Sequence, residues 1–374
     1  MTMATLESKF PGKAKRIAFL LVVLTLGLAS PKIYAEENQE HIAAESTHKT
    51  NFDAGKFVME HVSDAFEWHI LTYGHTHVSI PLPIILYSEN SGLNVFLSSK
   101  FHHGTVAYKN FRIEQEGENE GKIVELNDQG EILGLPIDLS ITKAVVGLFV
   151  SVIVILLIFL NVAKSAKQRA GKAPKGLQNL IEPLVLFIRD EVAVPAIGKA
   201  KTDQFLPFLL TLFFFILINN FLGLIPIFPF GANVTGNIAV TLVLALFTFV
   251  VTTLNGNKHY WKEIYNPDVP WWLKYPLPLM PIVELTGVFT KPFVLMVRLF
   301  ANMMAGHIIV TVFVSLIFIF SSLNGPVVGG MVSPLSVAFS VFILLLDVLV
   351  SFIQAYVFTL LSALYFGMAT SEHH

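Results

Sequence analysis

The sequence predicts a polytopic α-helical membrane protein with five spans plus an interfacial helix, the last two spans long and tilted, and a small β-rich soluble domain at the amino end. Three observations predict it. Of 374 residues 53% are hydrophobic, 32 are Phe and only 14% are charged, a balance too apolar for a soluble globular chain. The charges are segregated, with 17 acidic against 6 basic residues between Glu36 and Ser140, so the net charge of −2 hides an acidic, polar segment. From Ile141 onward, long apolar runs alternate with connections that are in turn basic and uncharged.

At the start, Lys9, Lys13, Lys15 and Arg16 precede the apolar run Ile17 to Leu28, and Ile33-Tyr34-Ala35 precedes Glu36-Glu37. This pattern predicts a signal peptide over residues 1–35, with the mature chain beginning near Glu36. An uncleaved anchor is the alternative, although the run falls short of the ~20 residues that a span needs.

Residues 36–140 form the predicted extracytoplasmic β-rich domain. Alternating segments run over His77 to Tyr87, Asn94 to Ser98, Thr105 to Glu114 and Lys122 to Leu133, the last holding a hairpin turn at Asn127-Asp128-Gln129-Gly130. Phe57, Val58, His61, Val62 and Phe66 recur at helical spacing, which predicts a short amphipathic helix over Phe52 to His69. His75 and His77 would share one strand face, and His102-His103 could add a metal ligand. Ordinary surface histidines are the competing explanation, since no carboxylate sits at a matching spacing.

Residues 141–374 are the predicted membrane domain. Its first span, Ala144 to Val162, precedes Lys164, Lys167, Arg169, Lys172 and Lys175, a cluster that marks the cytoplasmic side and leaves the mature amino terminus outside. Leu177 to Val194 carries Glu182, Arg189, Asp190 and Glu191 and is the interfacial or protein-packed helix. Phe205 to Ile225 returns outward and Ile238 to Leu254 goes back in. The connection between them, Phe228 to Gly236, lacks Lys and Arg, whereas the next carries Lys258, Lys262 and Lys274. The sequon at Asn233 is a chance match in that uncharged loop.

Leu277 to Phe320 and Leu335 to Phe366 each exceed one bilayer. A helix of about 30 residues is ~45 Å long against a ~30 Å hydrocarbon core, which implies tilting. Ser321 to Pro334, with Gly325, Pro326, Gly329 and Gly330, is the predicted outward loop between them, and the carboxyl terminus is then cytoplasmic.

Within the first of these two runs, Lys291 to Val310 places Arg298 in an apolar helix, where a guanidinium stays charged at any accessible pH and needs a partner or a task. At 100° per residue Lys291 and Asn302 fall within about 40° of Arg298, while His307 faces the other way about 13 Å further along. Few other polar side chains lie at depth: Asn219, Asn220, Glu284, Asp347 and Gln354, the last two sharing a helix face about 10 Å apart.

The run Arg-Leu-Phe-Ala-Asn-Met-Met-Ala-Gly-His, with Gln354 and the ending Met-Ala-Thr-Ser-Glu-His-His, resembles the signature of the subunit a family of the rotary F-type ATP synthases. That family is the membrane stator that carries protons past the ring of c subunits, and the resemblance covers about Ile141 to His374. It implies that Arg298 faces a ring carboxylate and separates two half-channels. It also implies that His307 and Asp347 serve the outer half-channel with Asn220, that Glu284 serves the inner one, and that Gln354 steadies Arg298. Gly223 stands where some members carry an aspartate. The partners implied are the c ring, the b subunits of a peripheral stalk and membrane lipid, in a bacterial inner membrane.

Each of these residues has a plainer reading. Arg298 could pair with Asp347 inside the hairpin, His307 and Asp347 could pack together, and Glu284 could pair with Lys291. A stand-alone proton-coupled transporter would use the same buried charges, although no internal repeat of the spans is visible. A membrane-anchored binding module would leave Arg298 unexplained. The acidic domain argues against nucleic acid, the absence of cysteine excludes thiolate chemistry, and the absence of a phosphate-binding Gly-Lys-[Ser/Thr] loop predicts no nucleotide hydrolysis by this chain alone. No cofactor is predicted.

Overall fold

The computed structural model describes residues 55, 64–73, 76–102, 104–114, 117–127, 129–225, 230–266 and 279–371. The predicted signal peptide and cleavage point lie outside the described residues, as do His75 and His103 of the possible metal set. Among the described residues no three His, Cys, Asp or Glu side chains cluster as metal ligands.

The amino-terminal part is built of short strands: β1 Glu67–Tyr73, β2 Thr76–Pro81, β3 Pro83–Ser88, β4 Gly92–Leu97, β5 Phe111–Ile113, β6 Ile123–Leu126, β7 Ile132–Gly134 and β8 Ile137–Asp138. They pair antiparallel in three small sheets, β1-β2, β4-β3-β8 and β5-β6-β7. Helical spacing misassigned Glu67 to His69, which belong to β1 and pair with Pro81 to Ser79. The segment predicted as one strand from His77 to Tyr87 is two. Pro83 has no N–H for a ladder, and Leu82 leaves it to exchange hydrogen bonds with Ser98 through N–H to Oγ (3.1 Å) and O to N–H (3.0 Å).

Thr105 to Glu114 is strand only at its end, because Lys109 and Asn110 take φ of 49° and 62°, the left-handed region. The hairpin at Asn127 forms as predicted. Its Oδ1 accepts from the amides of Gln129 and Glu131, both at 2.9 Å, and joins β6 to β7.

Alternation along β3 sends Ile84 and Leu86 into a core with Phe66, Phe101, Phe111 and Ile123, closed by edge-to-face contacts of Phe96 with Phe101 and Tyr108. Beside that core Glu125, 5% exposed, accepts hydrogen bonds from Ser88, Ser91 and Asn90. Burial pushes its carboxyl up, but those donors outweigh it and hold the group below its usual value.

A depressed carboxyl stabilises the fold above its ordinary pKa and loses that contribution as pH falls through the depressed value. Protection of the β6 amides, corrected for intrinsic exchange, is therefore expected to drop below about pH 4. Glu125→Gln should remove this pH dependence and raise exchange at pH 7 about tenfold.

The helices are α1 Lys143–Gln168, α2 Leu177–Phe187, α3 Val194–Ile197, α4 Lys199–Leu224, α5 Ile238–Leu254, α6 Lys258–Tyr265, α7 Leu279–Asn324 and α8 Pro326–Thr370, with a π-helical turn at Ile188–Ala193. Four of the described helices, α1, α4, α7 and α8, are long and apolar enough to cross a membrane, and the count is five if α5 and α6, bent by 105°, make one span. Helix α2, with Pro183 inside it, and the π-helical turn that follows pack into the bundle through buried Ile181, Val185, Ile188 and Val192.

The bundle core is aromatic, with Phe205 stacked on Phe366 at 5.0 Å and Phe159 edge-on to Phe214 at 4.8 Å. At one end the α8 backbone meets α3 directly: a Cβ at Gly367 would lie 2.0 Å from the Ala196 carbonyl, so only glycine fits. At that same end Asn257 N–H donates to Ala369 O (2.9 Å) and Lys201 Nζ to Thr370 O (2.6 Å).

The predicted loop from Ser321 to Pro334 is corrected. Helix α7 continues to Asn324, Gly325 makes the turn at φ 89° and ψ 163°, and α8 starts at Pro326 in its first turn. Gly325 adopts that backbone without a Cβ penalty, and Pro326 needs no amide donor there, so one residue between the helices suffices. The resulting hairpin is largely uncovered. In the most apolar window of α7 only 17% is buried and in that of α8 22%, against 67% in α4.

Candidate functional site

The site is built on the antiparallel register of α7 and α8. Ser336 Oγ donates to the Phe313 carbonyl, Phe339 stacks on Phe313 at 5.4 Å, and Gly329 lies against Ser321. Further from the turn, Asp347 presses on Gly306, whose added Cβ would lie 2.7 and 2.8 Å from the two carboxylate oxygens. Asp347 is 7% exposed, and its Oδ2 has no hydrogen-bond partner among the described residues. A buried acceptor in that state is a polar group held ready for a proton, water or donor. The same register, continued about two turns, sets Arg298 opposite the segment of α8 that holds buried Gln354.

His307, one residue beyond Gly306, turns to α4 and not to Asp347. A Cβ at Gly223 would lie 3.7 Å from its Nε2, 3.5 Å from the Ala232 carbonyl and 3.8 Å from Asn233 Cα. The missing side chain at Gly223 is thus the space beside the imidazole. One turn earlier, buried Asn220 accepts from Thr235 Oγ1 at 2.7 Å and donates to Ser351 O at 3.4 Å, tying the 230–237 connection to α8. Among the described residues no hydrogen bond joins His307 to Asp347.

Arg298 is exposed on α7, and among the described residues it makes no ion pair or hydrogen bond. Its electrostatic neighbour is Tyr365 of α8. Asn302, one turn on, is half-buried. The exposed stripe around Arg298 runs Val294, Val297, Ala301, Ala305, Ile309 and Val312, a spacing of three and four with small residues at its centre.

Toward the other end, Lys291 Nζ sits 5.8 Å over the Tyr365 ring, and Glu284 acts electrostatically on Tyr260 of α6. Glu284 and Lys291 form no ion pair with each other among the described residues. A cleft lined by Thr248, Thr252, Tyr260, Val288, Lys291 and Tyr365 opens between α5, α6, α7 and α8. Two groups of polar side chains therefore lie toward opposite ends of the bundle, with Arg298 between them.

The sequence profile described as ATP synthase A chain matches residues 145–367. The chain belongs to this family, that of ATP synthase subunit a.

Three bacterial relatives bear the subunit a name. One from Chloroherpeton thalassium is 45% identical over 63% of this chain and 68% of its own length. A second from Chlorobaculum tepidum is 46% identical over 63% and 64%, and one from Myxococcus xanthus is 42% identical over 64% and 75%. A separate profile, a domain of unknown function (DUF8433), matches residues 57–139.

Sequence reasoning about this subunit a chain missed Tyr365, Tyr260, Thr248 and Gly306. Tyr365 had a signal: the three-and-four spacing of Asp347, Ser351, Gln354, Phe358 and Ser362 along α8 reaches it next. Gly306 had none, because a close approach between helices leaves no local trace.

Proposed function

We propose that this chain is the proton-translocating stator of an F-type ATP synthase, coupling ion flow to rotation of a c ring without covalent chemistry of its own. One observation carries the reading. Arg298 stands without a counter-ion among the described residues, on the uncovered face of the α7–α8 hairpin, in a stripe whose centre is Ala301 and Ala305. A permanent cation in an apolar face calls for an anion brought by a partner, and small residues let a partner helix come close. A carboxylate on each subunit of the ring is such an anion.

On this reading the ring carboxylate meets Arg298, which favours the ionised form and never takes the proton, since guanidinium stays charged. His307, Asp347 and Asn220 serve the path from the outside, and Glu284, Lys291 and the cleft at Tyr260 serve the path to the cytoplasm. Asn302 and Gln354 flank the guanidinium. The two paths open on opposite sides of a bacterial inner membrane, with residues 36–140 outside after removal of 1–35 and the carboxyl terminus inside. The b subunits of the peripheral stalk hold the chain against the ring's torque.

The test is physical contact with the ring. In a chain that has no native cysteine, Ala305→Cys should form a disulfide with a cysteine placed one turn from the ring carboxylate, and the ring of small two-helix proteolipids should co-purify in mild detergent. A chain that purifies alone and forms no such cross-link would refute the assignment.

A further inference from the structure

The β-rich domain is not a bystander tethered to the first span. Its Asp64 carboxylate accepts from the amide of Ala144 (3.0 Å) as well as from that of Ala65 (3.0 Å), and the amide of Lys143 donates to Ala65 O (2.9 Å). Helix α1 begins at Lys143, so its free amino-terminal donors are satisfied by a residue 80 positions away instead of by Thr142, whose own Oγ1 is buried without a partner among the described residues. Trp68 of β1, 4% exposed, sits in the membrane-domain core with Leu148, Ala232 and Val234. The Lys143 ammonium lies 5.9 Å over its ring.

The same packing leads to His307. Gly147, one turn along α1, is pressed on Ala232 and Val234, where a Cβ would lie 2.5 and 3.0 Å away. Ala232 in turn is the neighbour of Gly223, and Gly223 is the neighbour of the imidazole. Lys143 acts electrostatically on His307 across this short connection, and Asp64 acts on Lys143 from its other side. Of the charged groups near His307, Lys143 of α1 acts on it electrostatically and Asp347 of α8 lies against the adjacent Gly306; α4 and the 230–237 connection contribute Gly223, Asn220 and Thr235, which do not titrate.

We propose that the β-rich domain forms the outer wall of the path to His307, with Asp64 and Trp68 holding Lys143 as a fixed cation at its mouth. Lys143 is a positioning residue: it carries no proton through the path but sets the field in which His307 exchanges one. This rests on the proton-path reading above and extends it to the part of the chain that lies outside the subunit a match. A proton nearing His307 passes a cation whose charge is partly balanced by Asp64, so the domain tunes access from outside.

The test uses the whole ATP synthase in inverted vesicles, where the face bearing the domain is the lumen. ATP synthesis is driven by an imposed gradient at a series of lumenal pH values. Lys143→Met is expected to move the pH of half-maximal rate by about one unit, a tenfold change at fixed pH, while Lys143→Arg keeps the wild-type profile.

Lys143→Cys adds a control, because an aminoethyl thiosulfonate restores a lysine-like charge and a hydroxyethyl one restores only the bulk. Recovery of the wild-type profile with the first reagent alone supports the proposal. Equal effects of the two reagents, or a wild-type profile in Lys143→Met, overturn it. Failure of both the Met and Cys variants to assemble, with Lys143→Arg assembling, would make the cation structural and also overturn it. Loss of coupling in Arg298→Ala together with an unmoved profile in Lys143→Met would defeat this inference and leave the proton-path reading standing, whereas normal pumping in Arg298→Ala would defeat that reading itself.

Discussion

Arg298→Ala is expected to reduce ATP-driven proton pumping in inverted vesicles by two orders of magnitude or more, with the amount of assembled complex unchanged. The residue supports this because it is exposed and makes no hydrogen bond or ion pair among the described residues, so its removal breaks no internal contact of that kind. On the proposed function, what is lost is the fixed positive charge that favours an ionised carboxylate on the passing ring helix, an electrostatic contribution that is large where water is excluded. The charge also separates the two groups of polar side chains, so vesicles stripped of the catalytic head should leak protons faster in the alanine variant. Arg298→Lys keeps the charge and loses the planar fork, and should restore only a small part of pumping. Wild-type pumping in the alanine variant would remove Arg298 from the mechanism.

The second large effect concerns Asp347. Asp347→Asn keeps volume and shape but cannot titrate, and a loss of about 100-fold in coupled pumping is expected if the carboxylate relays a proton. A packing role would leave the variant close to normal. The geometry supplies a partner test: Gly306→Ala inserts a methyl within 2.7 Å of the carboxylate and must tip it, without touching its charge. Gly306→Ala should therefore slow pumping in the native background and add little once Asp347 is Asn, a coupling that a double-mutant cycle measures. Additive losses would show that Gly306 matters for hairpin packing and not for the orientation of Asp347. Exchange of His307 and Asp347 is the poorer experiment, because an imidazole at 347 would need room that the approach to Gly306 does not leave.

Much of the fold was legible because a bilayer imposes a local rule. A span needs about 20 apolar residues in a row whatever it packs against, so the spans could be read window by window, and Arg298 stood out because a charge in such a window is costly. The hairpin at Asn127 was legible for a similar reason: the Asn side chain satisfies the turn's own amides, within five residues of sequence.

Other features depended on partners distant in the chain. The helical spacing of Phe57, Val58, His61, Val62 and Phe66 carried the predicted helix on to His69, and pairing with β2 made Glu67 to His69 strand. The breakers between Ser321 and Pro334 predicted a loop, yet packing of α7 on α8 holds all but Gly325 in helix.

The sequence by itself determined which segments are apolar enough to span and where the fixed cation sits among them. Those properties follow from hydration, which acts on each residue wherever its neighbours lie. Only the tertiary structure decided that Asp347 meets Gly306 while His307 turns to Gly223, that Tyr365 and Tyr260 join Lys291 and Glu284, and that Asp64 caps α1 beside Lys143. These contacts depend on helix register and close approach, which side chains from separate segments establish together and no single stretch of sequence contains.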